Sequence, residues 1–420
     1  MMIFTSVYGV VDGLFVSNFA GKTAFASINL IWPVPMIFGA IGFMLGTGGC
    51  AIVAKTLGEG KRGKANEYFS LIIYVTAVIG IAFAVIGCVV VEPVARLIGA
   101  GEEQLSYCVV YGRILFAALP AFMLQSVFQS FMITAEKPTL GLIFTVVAGC
   151  TNIIFDFLLV GIFKWGVVGA GLATALSQFV GGLMPVVYFI RKNDSLLRLT
   201  RTSFNKRILS QASLNGSSEL LTNISLSLVN MLYNYQLMRI AGEDGVAAYG
   251  VIMYVNFIFV STFIGYSVGS APVVSYNYGA GTTDELKNVF KKSVKIILAF
   301  GVSMTVLAMI LSGALSKLFV GYDATLYEMT RHGFIIYSLS FLVLGFNIFG
   351  SAFFTALGNG PVSAAISFLR TLLFEIISVL ALPILFGIDG VWMAIVVSET
   401  MALIVTVMFL IKERWRYNYI

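Results

Sequence analysis

The sequence predicts an all-α polytopic membrane protein: twelve transmembrane helices in two six-helix halves. Three observations lead there. The 420 residues are 59% hydrophobic and only 11% charged, with a mean hydropathy of +0.94; soluble domains carry about 25% charged residues. Long apolar runs recur along the whole chain, most of them reaching the ~20 residues that cross a hydrocarbon core. The second half of the chain repeats the first at a fixed shift of 221 residues.

The apolar runs fall at about 1–19, 27–54, 68–91, 107–134, 139–163 and 167–190, then at about 208–240, 247–275, 289–320, 329–357, 361–386 and 390–411. Several exceed the crossing length and are expected to tilt or to project from the bilayer. The 42 glycines suit close packing of helices in lipid. The first residues lack the basic start and small-residue cleavage site of a signal peptide.

The register of the repeat runs from end to end. Gly21 matches Gly242, Phe38 matches Phe259 and Gly48 matches Gly269. Gly58 and Gly60 match Gly279 and Gly281, and Phe69 matches Phe290. Gly112 matches Gly333, and Thr134-Ala135 matches Thr355-Ala356. Gly166, Gly169, Ala173 and Ser177 match Gly387, Gly390, Ala394 and Ser398. Six spans per half is an even number, so both halves insert the same way up, as in transporters built from parallel repeats. The expected divisions are an N-lobe at 1–190, a basic linker at 191–207, a C-lobe at 208–411 and a tail at 412–420. The repeat also implies a first span shortened by about 13 to 15 residues at its start.

The net charge of +6 does not indicate nucleic acid, because the basic residues sit in short loops. Lys55, Lys61, Arg62 and Lys64 follow span two, and Arg191, Lys192, Arg198, Arg201, Lys206 and Arg207 separate the halves. Lys287, Lys291, Lys292 and Lys295 follow span eight; Lys412, Arg414 and Arg416 lie in the tail. The alternate loops carry Glu102, Glu103, Glu243, Asp244, Asp323 and Asp389. The positive-inside rule places both termini and the central loop in the cytoplasm of a cell-membrane protein.

Acids inside apolar spans are the candidate functional residues, since each costs roughly 3 kcal/mol at mid-membrane. Asp12 lies in span one, one turn after Tyr8. Asp156 lies in span five, one turn after Asn152, and Thr174 follows in span six. Two carboxyls with amide, hydroxyl and phenol oxygens can hold a proton or a small hard cation. A bend-pinning role near Gly9 and Gly13 is the competing account of Asp12. The second half holds a different set: Glu219, Arg370, Glu375 and Glu399. Arg370 precedes Glu375 by five residues, so a pair between them needs another helix; charge compensation and transport both fit. Arg113 and Arg331 lie near outer span ends and can snorkel. Cys50, Cys88, Cys108 and Cys150 form no CxxC, and His332 is the single histidine, so neither a metal site nor a disulfide framework is expected. The same inventory, without HExxH, argues against an intramembrane enzyme.

The stretches VYGVVDGLFVSNFAG, LGTGGCAIVAKTLGEGKRGKA, TAEKPTLG, NIIFDFLLVG and GVVGAGLATALSQ resemble the MATE family of multidrug and toxic-compound extrusion transporters. GYSVGSAPVVSYNYGAG is similar to the branch carrying a YNYGA stretch after span eight. The resemblance implies two six-helix lobes around a central cavity. It implies export of organic, often cationic, compounds driven by inward H⁺ or Na⁺, with no cofactor and no obligate protein partner. The family's N-lobe cation site maps onto Tyr8, Asp12, Asn152, Asp156 and Thr174. Glu219 resembles an acidic residue that some members place in span seven. The span-ten aspartate of some members has no counterpart; span ten offers Glu328 at its edge. A lipid-linked oligosaccharide flippase of the same superfamily is the alternative, and it would need a more cationic cavity than Arg370 alone supplies.

Overall fold

The structure is a computed structural model that describes residues 4–5, 15, 22–321 and 323–419. Most of span one, with Tyr8, Asp12 and the expected shortening at its start, lies outside the described residues.

Among the described residues, eight helices are long and apolar enough to cross a membrane, and a pair bent by 49° makes a ninth. Two of the eight are doubled: Lys206–Ala280 breaks at Gly242, and the helix Glu375–Tyr417 breaks at Gly387. Resolved at these breaks, the spans number eleven after span one. Span two is Lys22–Ile31 with Pro33–Gly58; span three is Arg62–Leu97; span four is Glu102–Thr134. Span five is Pro138–Phe155, continued as the π-helix Asp156–Ile162, and span six is Gly166–Ile190. Spans seven and eight divide Lys206–Ala280 at Gly242, and span nine is Thr283–Val320. Span ten is the bent pair Ala324–Ser338 and Phe341–Ala356. Span eleven is Gly360–Phe368, the π-helix Leu369–Phe374 and the stretch from Glu375 to Gly387; span twelve runs on to Tyr417.

The helix ends follow local chemistry. Pro138 and Pro361 occupy first-turn positions, where a missing N–H costs nothing. Glu102 and Glu103 open span four, and Asp284 and Glu285 open span nine, opposite the positive end of the helix dipole. Asp323 caps span ten by accepting from the Thr325 and Leu326 amides at 2.8 and 3.0 Å. The repeat is also written in the backbone. Gly60 and Gly281 have φ of +75° and +71°, and Gly166 and Gly387 have φ of +54° and +57°. Each pair stands 221 residues apart, at a turn that an L side chain would strain.

The chain forms two compact units, Met1–Gly216 and Ser217–Ile420. In the first, span two lies on span four through glycines. A Cβ on Gly42 would come within 2.8 Å of the Met123 backbone, and one on Gly46 within 2.9 Å of Val127 Cα. That is how helices approach in lipid, where packing rather than water expulsion holds them together. Phe69, Phe128, Phe131 and Phe189 fill the core near the basic end of this unit, with Phe69 ring centroids 5.0 Å from both Phe131 and Phe189. The segment after span six is fastened to the same unit. Leu197 is fully buried in that core, Arg62 donates to the Ser195 and Leu196 carbonyls at 2.9 and 3.1 Å, and the Arg198 amide donates to Asn66 Oδ1 at 3.0 Å. The second unit has its own aromatic core, in which Phe290, Phe353 and Tyr419 meet at centroid distances of 5.0 to 5.1 Å.

Three of the cysteines are at least partly buried, and Cys50 Sγ lies 2.8 Å from the Thr134 hydroxyl. Cys150 of span five is exposed.

Candidate ion-coupling site and its family

Asp156 is the first residue of the π-helix of span five and is fully buried, as is Asn152 at 1% exposure. A π turn is wider than an α turn and recurs at functional positions. Here it begins at the acid. Spans five and six pack antiparallel. Ser177 Oγ donates to the Ala148 carbonyl at 2.8 Å, and a Cβ on Gly169 would lie 3.0 Å from the Leu159 carbonyl. These two contacts bracket Asn152 and Asp156 on span five and Thr174 on span six, so three of the five expected N-lobe residues lie on the facing stretches of two packed spans. Asn152 Oδ1 and Thr174 Oγ1 are buried without a hydrogen-bond partner among the described residues. These neutral oxygens beside a carboxyl are the donor set that a hard cation or a protonated acid takes. Tyr8 and Asp12 lie outside the described residues.

The second unit gathers Glu219, Arg370, Glu375 and Glu399 into one cluster. Arg370 belongs to the π-helix of span eleven, so the fifth span of each half carries its charged residue on a π turn. Arg370 Nε meets Glu399 Oε1 of span twelve at 2.8 Å, with only 13% and 3% of the two side chains exposed. The other Glu399 oxygen accepts from Asn347 Nδ2 at 2.7 Å, and Thr406 Oγ1 donates to Asn347 Oδ1 at 3.0 Å. Glu219 of span seven feels the Arg370 charge. Glu375 lies within range of both Glu399 and Arg370, beside the Tyr233 phenol. Tyr233 stacks on Tyr249 at 4.9 Å. A buried charge needs a partner of this kind. The sequence left the partner of Arg370 open between glutamates; packing selects Glu399. Asn347, Thr406 and Tyr233 carry no charge and stood out in no motif. Span ten contributes Asn347 to the cluster.

His332 Nε2 lies 2.9 Å from Asp389 Oδ1, on an exposed surface. Among the described residues no three His, Cys, Asp or Glu side chains gather as a metal ion would need.

Comparison with known proteins follows this architecture. The MatE family profile matches residues 1–158 and again 220–380, one match per half. The multidrug export protein MepA of Staphylococcus saprophyticus is 25% identical over 413 residues, covering 97% of this chain and 90% of that protein. MepA of Staphylococcus aureus strain MRSA252 is 24% identical over 415 residues, covering 97% and 90%. Among solved structures, an outward-facing multidrug resistance MATE family transporter of the MOP superfamily superposes with a TM-score of 0.93 at 22% identity, covering 100% of this chain and 95% of that one. A MOP superfamily transporter from Pyrococcus furiosus superposes with a TM-score of 0.91 at 22% identity, covering 99% and 93%. The double profile match accounts for the internal repeat, and the superpositions give the fold. The chain belongs to the MatE family: it is a twelve-span MATE membrane transporter, and not an enzyme.

Proposed function

We propose that the protein is a secondary active exporter of organic, chiefly cationic, small molecules, drugs or metabolites, coupled to entry of H⁺ or Na⁺. The observation that carries this reading is Asp156, an acid with no exposed surface inside a membrane span, one helical turn from the buried amide of Asn152. An acid is retained at such cost where it carries charge. The relatives named multidrug export proteins supply the substrate class. Tyr8 and Asp12 complete the coupling site in this reading, with Asn152, Asp156 and Thr174. The functional halves are 1–190 and 208–411, joined by the basic segment 191–207, with 412–420 as a tail. Both termini face the cytoplasm of the cell membrane, because the basic residues cluster on that side.

Coupling follows from differential binding. The cation favours one arrangement of the transporter and the organic substrate the other, so each lowers the affinity for its counterpart. The 35 Phe and 16 Met supply polarizable apolar walls that adapt to ligands of different shape. The test is efflux from proteoliposomes with pH and Na⁺ gradients imposed separately. Uphill export under one of the two gradients supports the reading; movement indifferent to both overturns it.

A further inference from the structure

Four buried side-chain oxygens of the first unit have no hydrogen-bond partner among the described residues: those of Gln129, Asn152, Thr174 and Gln178. All four lie on spans four, five and six. Buried polar oxygens are almost always partnered, by protein or by ordered water. Two cavities of about 10 Å³ each adjoin these spans, one between spans four, five and six and the other between spans two, four and six. Gln125, Gln129, Thr145, Phe144 and Met132 line one; Gln178, with Trp32 and Leu119, lines the other. Each has room for about one water. Gln125 and Gln178 are themselves 8% and 9% exposed.

These groups form a series. Thr174 and Gln178 are one turn apart on span six, Gln125 and Gln129 one turn apart on span four, and Thr145 and Asn152 two turns apart on span five. Gly181 abuts the Gln125 carboxamide, and Gly181 and Pro185 line the cavity with Gly141 and Thr145. Measured along span six, the stations are Thr174, Gln178, Gly181 beside Gln125, Pro185 near Gln129, and Tyr188. No step exceeds four residues, about 6 Å at 1.5 Å per residue, which one or two waters bridge. From Thr174 to Tyr188 the path is about 21 Å long. It ends at the exposed Asp194 carboxylate, where Tyr188 Oη donates to Asp194 Oδ1 at 3.3 Å and Lys137 Nζ pairs with Asp194 Oδ2 at 2.8 Å. Lys137 holds the Asp194 carboxyl below the ordinary carboxylate range, so it stays ionised at the surface.

We infer that a chain of bound waters runs along the seam of spans four, five and six from Asp156 to the basic surface at Asp194, and that the coupling ion released along it is a proton. A proton leaves the Asp156 carboxyl for the nearest water, each water passes one on, and bulk solvent at Asp194 takes the last. The inference rests on Asp156 being the coupling acid, and it names the ion.

The test uses the full chain in lipid nanodiscs. X-ray radiolysis makes hydroxyl radicals from water where it sits, so a buried methionine is oxidised when a bound water touches it. Met132, at the first cavity, is expected to oxidise about an order of magnitude faster than Met123, which is equally buried but packed on Gly42. Replacing Gln129 and Gln178 by leucine should remove the difference. Equal oxidation of the two methionines in the unaltered chain overturns the water chain. A pH jump followed through the infrared carboxyl band that Asp156→Asn abolishes gives the second measurement. The leucine pair should slow its relaxation by about an order of magnitude without moving its midpoint, and Gln129→Asn should slow it less. Unchanged relaxation overturns the path while leaving Asp156 as the coupling acid. Efflux indifferent to Asp156→Asn defeats the coupling reading, and hydration of the seam then stands or falls on Met132 alone.

Discussion

Asp156→Asn removes one negative charge from the interior of span five and keeps the shape of the side chain. Asp156 is fully buried, so an uncharged amide relieves a desolvation cost of roughly 3 kcal/mol. Insertion and thermal stability are therefore expected to match the parent or exceed it. Transport should change in a different way. A monocation exchanged one for one with a proton moves no net charge, so only the pH gradient drives it. One pH unit is about 1.4 kcal/mol and sustains about a tenfold substrate gradient. For a neutral substrate a membrane potential of about 100 mV adds about 2.3 kcal/mol, and the gradient rises to roughly 500-fold. In Asp156→Asn both ratios should fall to one, because substrate can at most equilibrate. The assay is steady-state accumulation in inside-out vesicles at fixed pH and Na⁺ gradients, with one cationic and one neutral probe, on protein shown to be folded. Uphill accumulation by the folded variant with unaltered cation dependence would refute the reasoning.

Asp12→Asn should lose gradient-driven efflux in the same way, and the Asp12→Asn/Asp156→Asn double variant should be no worse than either single one if the two acids act as a unit; additive losses would separate them. Glu102→Gln and Glu103→Gln lie at an exposed helix start and should leave accumulation ratios unchanged in the same vesicles. Glu399→Ala strands the buried Arg370 guanidinium, which is expected to cost about 3–5 kcal/mol, whereas Arg370→Met/Glu399→Leu should recover most of that stability; thermal unfolding in detergent reads both, and a double variant no better than the single contradicts the pairing. The Lys137–Asp194 contact should contribute only above acidic pH. The folded Asp194 pKa lies below its unfolded value, so the contribution is full above the unfolded value near 4 and is lost as pH falls through the folded one. An Asp194→Asn variant should then match the parent in stability at low pH, and a gap that widens on acidification would contradict this.

Much of this protein was legible before any fold was known, because the physics involved is local. Transfer of an apolar run into lipid is a sum over its own residues, so spans such as Thr283–Val320 stand out in the chain. Repetition is likewise a property of the string: Gly60 and Gly281, or Gly166 and Gly387, align by number, and their matching positive φ angles follow from the same turns. The cost of a lone acid in an apolar run singled out Asp156 for the same reason. Three-dimensional packing decided the rest. Whether Arg370 pairs with Glu375, five residues on, or with Glu399, 29 residues on, depends on how spans eleven and twelve are rotated about their axes, and hydropathy is blind to rotation. The π turn that starts at Asp156 has no residue signature; Gly169 of span six packs against it at Leu159. Asn347, Gln129 and Gln178 are neutral amides, unremarkable one at a time. Only the helices that bury them turn Asn347 into a partner of Glu399 and leave the glutamine oxygens without a hydrogen bond among the described residues, because the cost of an unpaired polar atom arises only once water has been taken away.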